Sequence, residues 1–470
     1  MDIKEDDESP VVRPTELQLH DSVYARTGTL WTAVAHIITG VIGAGVLSLA
    51  WATAELGWIG GPAAIIAFAG VTLLSAFLLS DCYLFPDADN GPIRLNSYSQ
   101  AVKVYLGKKN QIVCGVFVYI GLIGVGIAYT IVTATCIRAI LRSNCYHRKG
   151  HNATCSYGDK NNYFMLLFGV IQIFLSQTPN FHNMLWLSVV AAIMSFVYAS
   201  IGLGLAFGQI LDEENRQIEG SVRGSPAENR GAKVWLVFQA LGNIAFSYPY
   251  SIILLEIQDT LRSPPAEKQT MKKASTAAVF ITTFFYLCCG CFGYAAFGDS
   301  TPGNLLTGFG FYDPFWLVDL ANACIVLHLL GAYQVYSQPI FAAMENWLTE
   351  KYPQNKFITK FYGLKLPLLR GGTVVRLNPM RMCLRTTYVV IITGVAMVFP
   401  YFNEVLGVLG ALGFWPLAVY FPVEMCILQK KIIVWTRPWL LLRGFSFVCL
   451  LVSLLALVGS VYGLVGAKLR

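Results

Sequence analysis

The stretch Ala35–Trp51, AHIITGVIGAGVLSLAW, sets Gly40, Gly43 and Gly45 within six residues in the middle of an apolar run. Each glycine weakens a helix by roughly 1 kcal/mol relative to alanine, so this spacing predicts a helix that gives way halfway along. Membrane helices also use glycine for close packing, and one stretch alone does not separate the two readings. A second stretch shifts the balance. Asn243–Gln258, NIAFSYPYSIILLEIQ, carries Pro249 near its centre, where proline removes a backbone donor and crowds the preceding turn.

Both stretches belong to a series. Runs of about twenty apolar residues, enough to cross roughly 30 Å of hydrocarbon, recur about eleven times between Leu30–Ala54 and Leu440–Val465. With 55% hydrophobic residues, 13% charged residues and a mean hydropathy of +0.55, the 470 residues carry more apolar surface than a water-soluble domain buries. The runs are apolar all round and too long for the alternating strands of a membrane barrel. The fold class is therefore all-α integral membrane. The breaks fall in span one and in span six, Val234–Ile257. A five-span unit repeated in tandem enters the bilayer upside down, so equivalent breaks five spans apart predict an inverted-repeat, broken-helix transporter. The division is a disordered acidic cytoplasmic tail over 1–29, five-helix repeats over 30–209 and 232–428, and an eleventh helix with a short exterior end over 440–470.

With an interior N-terminus, roughly two-thirds of the 34 Lys and Arg fall on the N-terminal side of the membrane. The positive-inside rule then predicts a cytoplasmic N-terminus and an extracellular C-terminus. The net charge of +7 reflects that topology and gives no reason to expect nucleic acid. The tail lacks a basic flank followed by an apolar core, so span one is expected to act as the insertion signal. The connection Ser143–Asn162 holds the glycosylation sequon Asn152-Ala153-Thr154 on the predicted exterior. Cys145 and Cys155 flank it, and an oxidising compartment would join them. The other cysteines sit mostly inside spans, where they act as small apolar fillers, and no metal-binding spacing is present.

Unwinding inside a membrane exposes amide donors at the start of one half-helix and carbonyl acceptors at the end of the other. A zwitterion satisfies both sets. Backbone donors around Ile42, Gly43, Ala44 and Gly45 are expected to hold a carboxylate, and carbonyls near Ala245, Phe246 and Ser247 an ammonium. Asn243, one turn before the second break, reads either as a cavity-facing amide or as a helix bridge. Phe246, Tyr248 and Tyr250 either gate the cavity or fill helix interfaces. His36, one turn before Gly40, and His328, in the middle of span eight, are intramembrane groups that change charge near neutral pH. That property suits proton coupling better than sodium coupling, which needs only oxygen ligands; the competing reading is ordinary packing. Glu55, Asp81, Glu256, Asp259, Asp319 and Glu424 fall near span ends and read as boundary charges.

Several longer stretches, AHIITGVIGAGVLSLAWATAELGW, PNFHNMLWLS, NIAFSYPYSIILLEIQDTL, FGYAAFGDSTPGNLL, HLLGAYQVYSQPIF and WPLAVYFPVEM, resemble plant amino acid permeases of the amino acid/auxin permease family. The resemblance runs from about Thr27 to the C-terminus. It implies a plasma-membrane carrier of eleven helices that imports neutral and acidic amino acids, sometimes basic ones, with protons as the coupling ion and no other cofactor. It also implies importance for His36 and His328. Many relatives have an acidic residue where this chain has Asn243, which puts basic amino acids in doubt. The protein is expected to work as a monomer. Rival readings are a carrier of proline, γ-aminobutyrate or auxin, a non-transporting amino acid sensor, and a channel. No Ser/His or paired-aspartate constellation points to an enzyme.

Overall fold

Span one starts where Thr29 caps it: its Oγ1 accepts from the Thr32 amide, and the Thr32 hydroxyl oxygen accepts from the Thr29 amide. Helix α1 (Leu30–Val41) buries Ala33, Val34, Ile37, Ile38 and Val41, a stripe at helical spacing. It stops at Ile42, whose ψ of 93° leaves the helical region. Gly43 is extended, and a 3-10 turn over Ala44–Ser48 leads into α2 (Leu49–Asp81). The computed structural model describes residues 26–86, 93–150, 155, 161–177, 185–211, 218–309, 315–365 and 374–469.

Helix α2 contains the end of span one and all of span two, because Gly57 inside it has φ +77°. An added Cβ there would lie 2.2 Å from the Val222 carbonyl oxygen, and glycine alone takes this conformation without strain. The further helices are α3 (Tyr98–Lys149), α4 (Asn161–Ser176), α5 (Leu185–Leu211), α6 (Arg230–Ser247), α7 (Ser251–Asp259), α8 (Glu267–Phe297) and α9 (Phe315–Lys351). After the short α10 (Lys356–Thr359) come α11 (Pro379–Val398), α12 (Phe402–Gly413), α13 (Phe421–Gln429) and α14 (Arg437–Leu469). Two small antiparallel ladders lie in the connections, Leu84–Phe85 with Ile93–Arg94 and Tyr362–Lys365 with Val374–Leu377.

Among the described residues, nine helical stretches are long and apolar enough to cross a membrane, and Leu30–Val41 and Asn161–Ser176 are shorter apolar helices. Dividing α2 at Gly57 and joining the halves of span one yields the eleven spans read from the sequence: spans three, four and five are α3, α4 and α5, span six is α6 with α7, spans seven and eight are α8 and α9, span nine is α11, span ten is α12 with α13, and span eleven is α14. Two of those runs, Tyr163–Thr178 and Met184–Phe207, end at Thr178 and Met184, which lie outside the described residues, as do Asn152 and most of the acidic tail. The outer surface is apolar: Phe174 and Phe280 are each 74% exposed and Leu441 is 73% exposed, an arrangement favourable against hydrocarbon and costly against water.

The span-end acids behave as boundary charges. Glu55 pairs with Lys233 at 3.3 Å, Asp81 with Lys272 at 2.5 Å and Lys430 at 3.2 Å, and Glu424 with Arg443. Asp259 meets Arg26 at 3.1 Å, Asp319 accepts from Asn144, and Glu256 is exposed. Cys145 and Cys155 are joined by a disulfide with their Cα atoms 5.9 Å apart.

The structure adds one irregularity that no sequence cue announced. Between α12 and α13, Phe414–Tyr420 is wound as a π-helix around Pro416, a distortion that often marks functional sites. Spans six and ten touch backbone to backbone here. A Cβ on Gly410 would fall 2.0 Å from the Gly242 carbonyl oxygen, and one on Gly242 would fall 2.6 Å from that of Gly407. Gly410→Ala should therefore push the helices apart and destabilise the protein by about 1–3 kcal/mol; an unchanged melting temperature of the purified variant would contradict this contact.

Candidate functional site

The two breaks face each other. Helix α6 ends at Ser247, Tyr248–Tyr250 leaves the helix at Pro249, and α7 resumes at Ser251. The C-terminal carbonyls of α1 and α6 converge on one hydroxyl of span seven: Tyr286 Oη lies 2.8 Å from Val41 O and 3.0 Å from Ser247 O, and its single hydrogen is shared between them. On the donor side, the amides of Gly43, Ala44 and Gly45 make no backbone hydrogen bond among the described residues. Three consecutive free amides at the start of a half-helix are the kind of donor set that an anion can satisfy.

Between the breaks lies a cavity of about 140 Å³. Its floor is Gly40, Gly43, Ala44, Gly45, Phe246 and Ser247. Val118, Leu122, Val125 and Tyr129 of span three and Tyr336 of span eight form one wall, with the rings of Tyr129 and Tyr336 meeting edge to face at 5.8 Å. Leu409, Phe414 and Leu417 of span ten form another. Among the described residues, no charged side chain lines it.

The expected residues divide accordingly. Gly43, Ala44, Gly45, Phe246 and Ser247 line the cavity. Ile42 and Ala245 are buried in helix contacts and do not. Asn243 is fully buried on the other face of span six, and a Cβ on Gly407 would lie 3.0 Å from its Oδ1. It bears on the site through its carbonyl, which accepts from Ser247 Oγ at 3.1 Å. Tyr248 and Tyr250 are packed: Tyr248 sits edge to face on Tyr286 with centroids 5.2 Å apart and bonds to Thr283, and Tyr250 is 1% exposed. Of the three aromatics, Phe246 alone reaches the cavity.

The histidines also part company. His36 is exposed and off the buried stripe of α1, because residues 33, 34, 37 and 41 turn inward and 36 turns away. One-turn spacing from Gly40 did not bring it to the site. His328 is 5% exposed, with Nδ1 2.9 Å from Ala191 O and 3.2 Å from Ser195 Oγ. A carbonyl only accepts, so Nδ1 carries a hydrogen and Nε2 is the atom left to take up a proton. Tyr286, Tyr129 and Tyr336 went unnoticed in the sequence. A hydroxyl in mid-span is itself a signal of a polar partner, but no periodicity tells which of many tyrosines has one.

A family model described as transmembrane amino acid transporter protein matches residues 26–465. The chain belongs to this family. As a member of the transmembrane amino acid transporter family it is a transporter and not an enzyme. It is 84% identical over 468 residues to an Arabidopsis thaliana protein named probable amino acid permease 7, covering all of both chains. It is 53% identical to amino acid permease 8 of the same plant, over 94% of this chain and 92% of that one. Among solved structures it resembles MhsT in complex with L-phenylalanine, with a TM-score of 0.55 at 11% identity, covering 90% of this chain and 98% of that one. That likeness identifies the all-α, broken-helix transporter fold.

In this family member the Tyr286 hydroxyl carries two carbonyls that lipid cannot satisfy. Tyr286→Phe removes one oxygen and leaves the ring in place, so it should destabilise the protein by about 1–3 kcal/mol, read as a lowered melting temperature. Tyr248→Phe should change it far less, since the Tyr248 hydroxyl meets Thr283 and no break carbonyl. Equal effects would mean that Tyr286 does not tie the breaks together.

Proposed function

We propose that the protein is a proton-coupled symporter of the plasma membrane that imports amino acids by alternating access, with the units 30–209 and 232–428 rocking about the central cavity. The observation that carries this reading is the pairing of three free amides, Gly43–Gly45, with the Val41 and Ser247 carbonyls across one small cavity. An α-carboxylate fits the amides. An α-ammonium fits the second lone pair of the Ser247 carbonyl, the first being taken by Tyr286. The side chain of the cargo would lie against Val118, Leu122, Val125, Phe414 and Leu417. A charged side chain of either sign would be desolvated there without a partner. Neutral amino acids, apolar ones foremost, are therefore the favoured cargo, with acidic and basic ones poor.

The end of the molecule bearing Arg26 is latched. Gly28 exchanges backbone hydrogen bonds with Thr260 and Arg262, and Asp259 holds both Arg26 and, at 2.6 Å, the Tyr83 hydroxyl. With the N-terminus in the cytoplasm this is the inner gate. His328 is the proposed proton carrier, taking a proton on Nε2 between spans five and eight.

In oocytes under voltage clamp, neutral amino acids such as L-leucine should evoke saturable inward current that grows from about pH 8 to about pH 5 and ignores sodium replacement. L-lysine and L-glutamate should evoke little. An absolute sodium requirement would remove proton coupling, and binding without flux would make the protein a sensor.

Steric differences between Gly43 and Gly45 supply a second test. A Cβ on Gly45 would come within 2.7 Å of Ser247 Oγ and 3.1 Å of Ser247 Cα, whereas one on Gly43 would meet Tyr129 Oη at an ordinary 3.9 Å. Gly45→Ala should lower leucine uptake at least tenfold by parting the breaks, a loss of about 1.4 kcal/mol or more. Gly43→Ala should keep most of it, and Gly43→Leu, filling the cavity, should lose it. Normal uptake by Gly45→Ala at equal surface expression would refute the assignment.

A further inference from the structure

We propose that a cleft between spans eight and nine is a binding site for an anionic phospholipid of the adjoining leaflet. One acyl chain would fill the cleft, and the headgroup phosphate would lie against Lys356, Lys360 and Arg381.

The cleft exists because spans eight and nine both pack on span three and scarcely touch each other. A cavity of about 530 Å³ remains between them. Ile340 and Met344 of span eight line one side, Cys383 and Thr387 of span nine the other, and Ile123 of span three the back. Phe357 of α10 lines the end where both spans leave the apolar region. Met344, Phe357 and Ile391, which also line it, are 44%, 49% and 57% exposed, so the cleft opens to the outside of the bundle.

Its depth matches one leaflet. On span nine the lining runs from Met380 to Ile392, about 18 Å of helical rise, and half of a hydrocarbon core is about 15 Å. The cleft therefore starts at one boundary and ends near the bilayer centre, which is the reach of a single acyl chain. Aromatic rings mark that boundary independently. Trp347, Tyr352, Phe361 and Tyr362 flank the α10 end in sequence and are 57%, 46%, 47% and 51% exposed, as rings at headgroup level are.

Charge selects the lipid. From Lys351 to Arg385 the chain has eight Lys and Arg and no Asp or Glu. Buried Glu345 of span eight meets two guanidiniums, Arg381 Nε at 2.9 Å and Arg385 at 2.9 Å, so one carboxylate offsets one of two charges and Arg381 stays 45% exposed. Glu350, also exposed, precedes Lys351. Lys356 and Lys360 are exposed and, among the described residues, in no salt bridge. Ring faces hold the cations in place: Lys360 Nζ lies 5.0 Å over Tyr362 and Arg381 Cζ 5.2 Å over Phe361. A choline headgroup brings a cation with its phosphate and an anionic headgroup does not, so basic residues at this level favour the anionic lipid. A sterol offers the cations nothing. A second copy of the chain, docked about a two-fold axis, would bring the same basic segment against itself.

Photocrosslinking of the full-length protein in nanodiscs tests the site. The probe is phosphatidylglycerol with a diazirine on one acyl chain, diluted in phosphatidylcholine, and the control is phosphatidylcholine carrying the same chain. Phosphatidylglycerol should label peptides holding Met344, Cys383 or Thr387 about tenfold more than the control does. Lys356→Gln with Lys360→Gln should bring it down to the control level. Thr387→Trp, filling the cleft, should remove labelling there by both probes; if that variant fails to fold, the exposed lysine pair decides. Equal labelling by the two probes in wild type overturns the proposal and makes the cleft ordinary lipid boundary. An undiminished preference in the lysine variant overturns it as well, because the headgroup must then lie elsewhere. Displacement of the probe by excess sterol as readily as by unlabelled phosphatidylglycerol, or adducts between two copies of the chain in place of lipid adducts, would give the cleft to another occupant and overturn it too.

Discussion

Tyr286 Oη stands between Val41 O and Ser247 O, at 2.8 Å and 3.0 Å. Hydrocarbon offers no substitute partner for a carbonyl, and an unmet one at mid-membrane depth costs several kcal/mol. Spans one and six can therefore abandon their own ladders only where a third helix supplies a hydrogen. Because a single hydroxyl hydrogen is shared by both carbonyls, the breaks are held at one depth, each within hydrogen-bond reach of Tyr286 Oη. The complementary amides at Gly43–Gly45 receive no such help. That asymmetry distinguishes the two sides of the break: the Val41 and Ser247 carbonyls are met from within, while the amides stand free beside the cavity.

Close backbone approach keeps this arrangement rigid. Gly45 lies against Ser247, and Gly242 against Gly407 and Gly410, so spans one, six and ten meet at distances no larger residue would permit. The π-wound Phe414–Tyr420 sits beside these contacts and turns Phe414 and Leu417 toward the cavity. Large buried aromatics fill the space around them: Tyr248, Tyr250, Tyr286 and Tyr333 are each no more than 1% exposed. A well-packed surround leaves the cavity as the place where a guest, and not a neighbouring side chain, completes the hydrogen bonding.

Much of this was legible in the sequence, and the reasons for the rest are physical. Solvent decides the spans, since a run of twenty apolar residues has one stable environment, and both breaks announce themselves because glycine and proline act locally. The turn at Gly57 escaped because nothing local distinguishes it from packing glycines; the Val222 carbonyl that demands it is distant in sequence. His36 does not share the cavity face expected for it, because one-turn spacing fixes a face only for a helix whose inward stripe is known, and that stripe is set by partners. Asn243 turned from the cavity for the same reason. Tyr286 is a tertiary residue altogether: its meaning lies in which helices flank it, and an isolated span contains no record of its neighbours.

Two contact regions outside the cavity are held by different chemistry, and the difference bears on how the molecule can move. At the Arg26 end the closure is ionic and main-chain: Arg26 and Asp259 are 22% and 29% exposed, so water competes for the pair and its worth is about 0–1 kcal/mol. Two backbone hydrogen bonds at Gly28 add to it, each of a size that water can replace once the segment parts. The Leu305–Thr307 turn, which packs on the Ala44–Ser48 turn, has Leu305 and Leu306 buried at 3% and 0% exposure, and apolar burial of that kind is worth about 1.5–3 kcal/mol per side chain with no alternative partner outside. An ionic latch can be undone by small changes in charge or hydration, whereas an apolar plug opens only by moving as a body. A transporter built this way would release its polar end by unpairing and its apolar end by displacement of the loop, so the energetic cost of each half-cycle is set by a different kind of interaction.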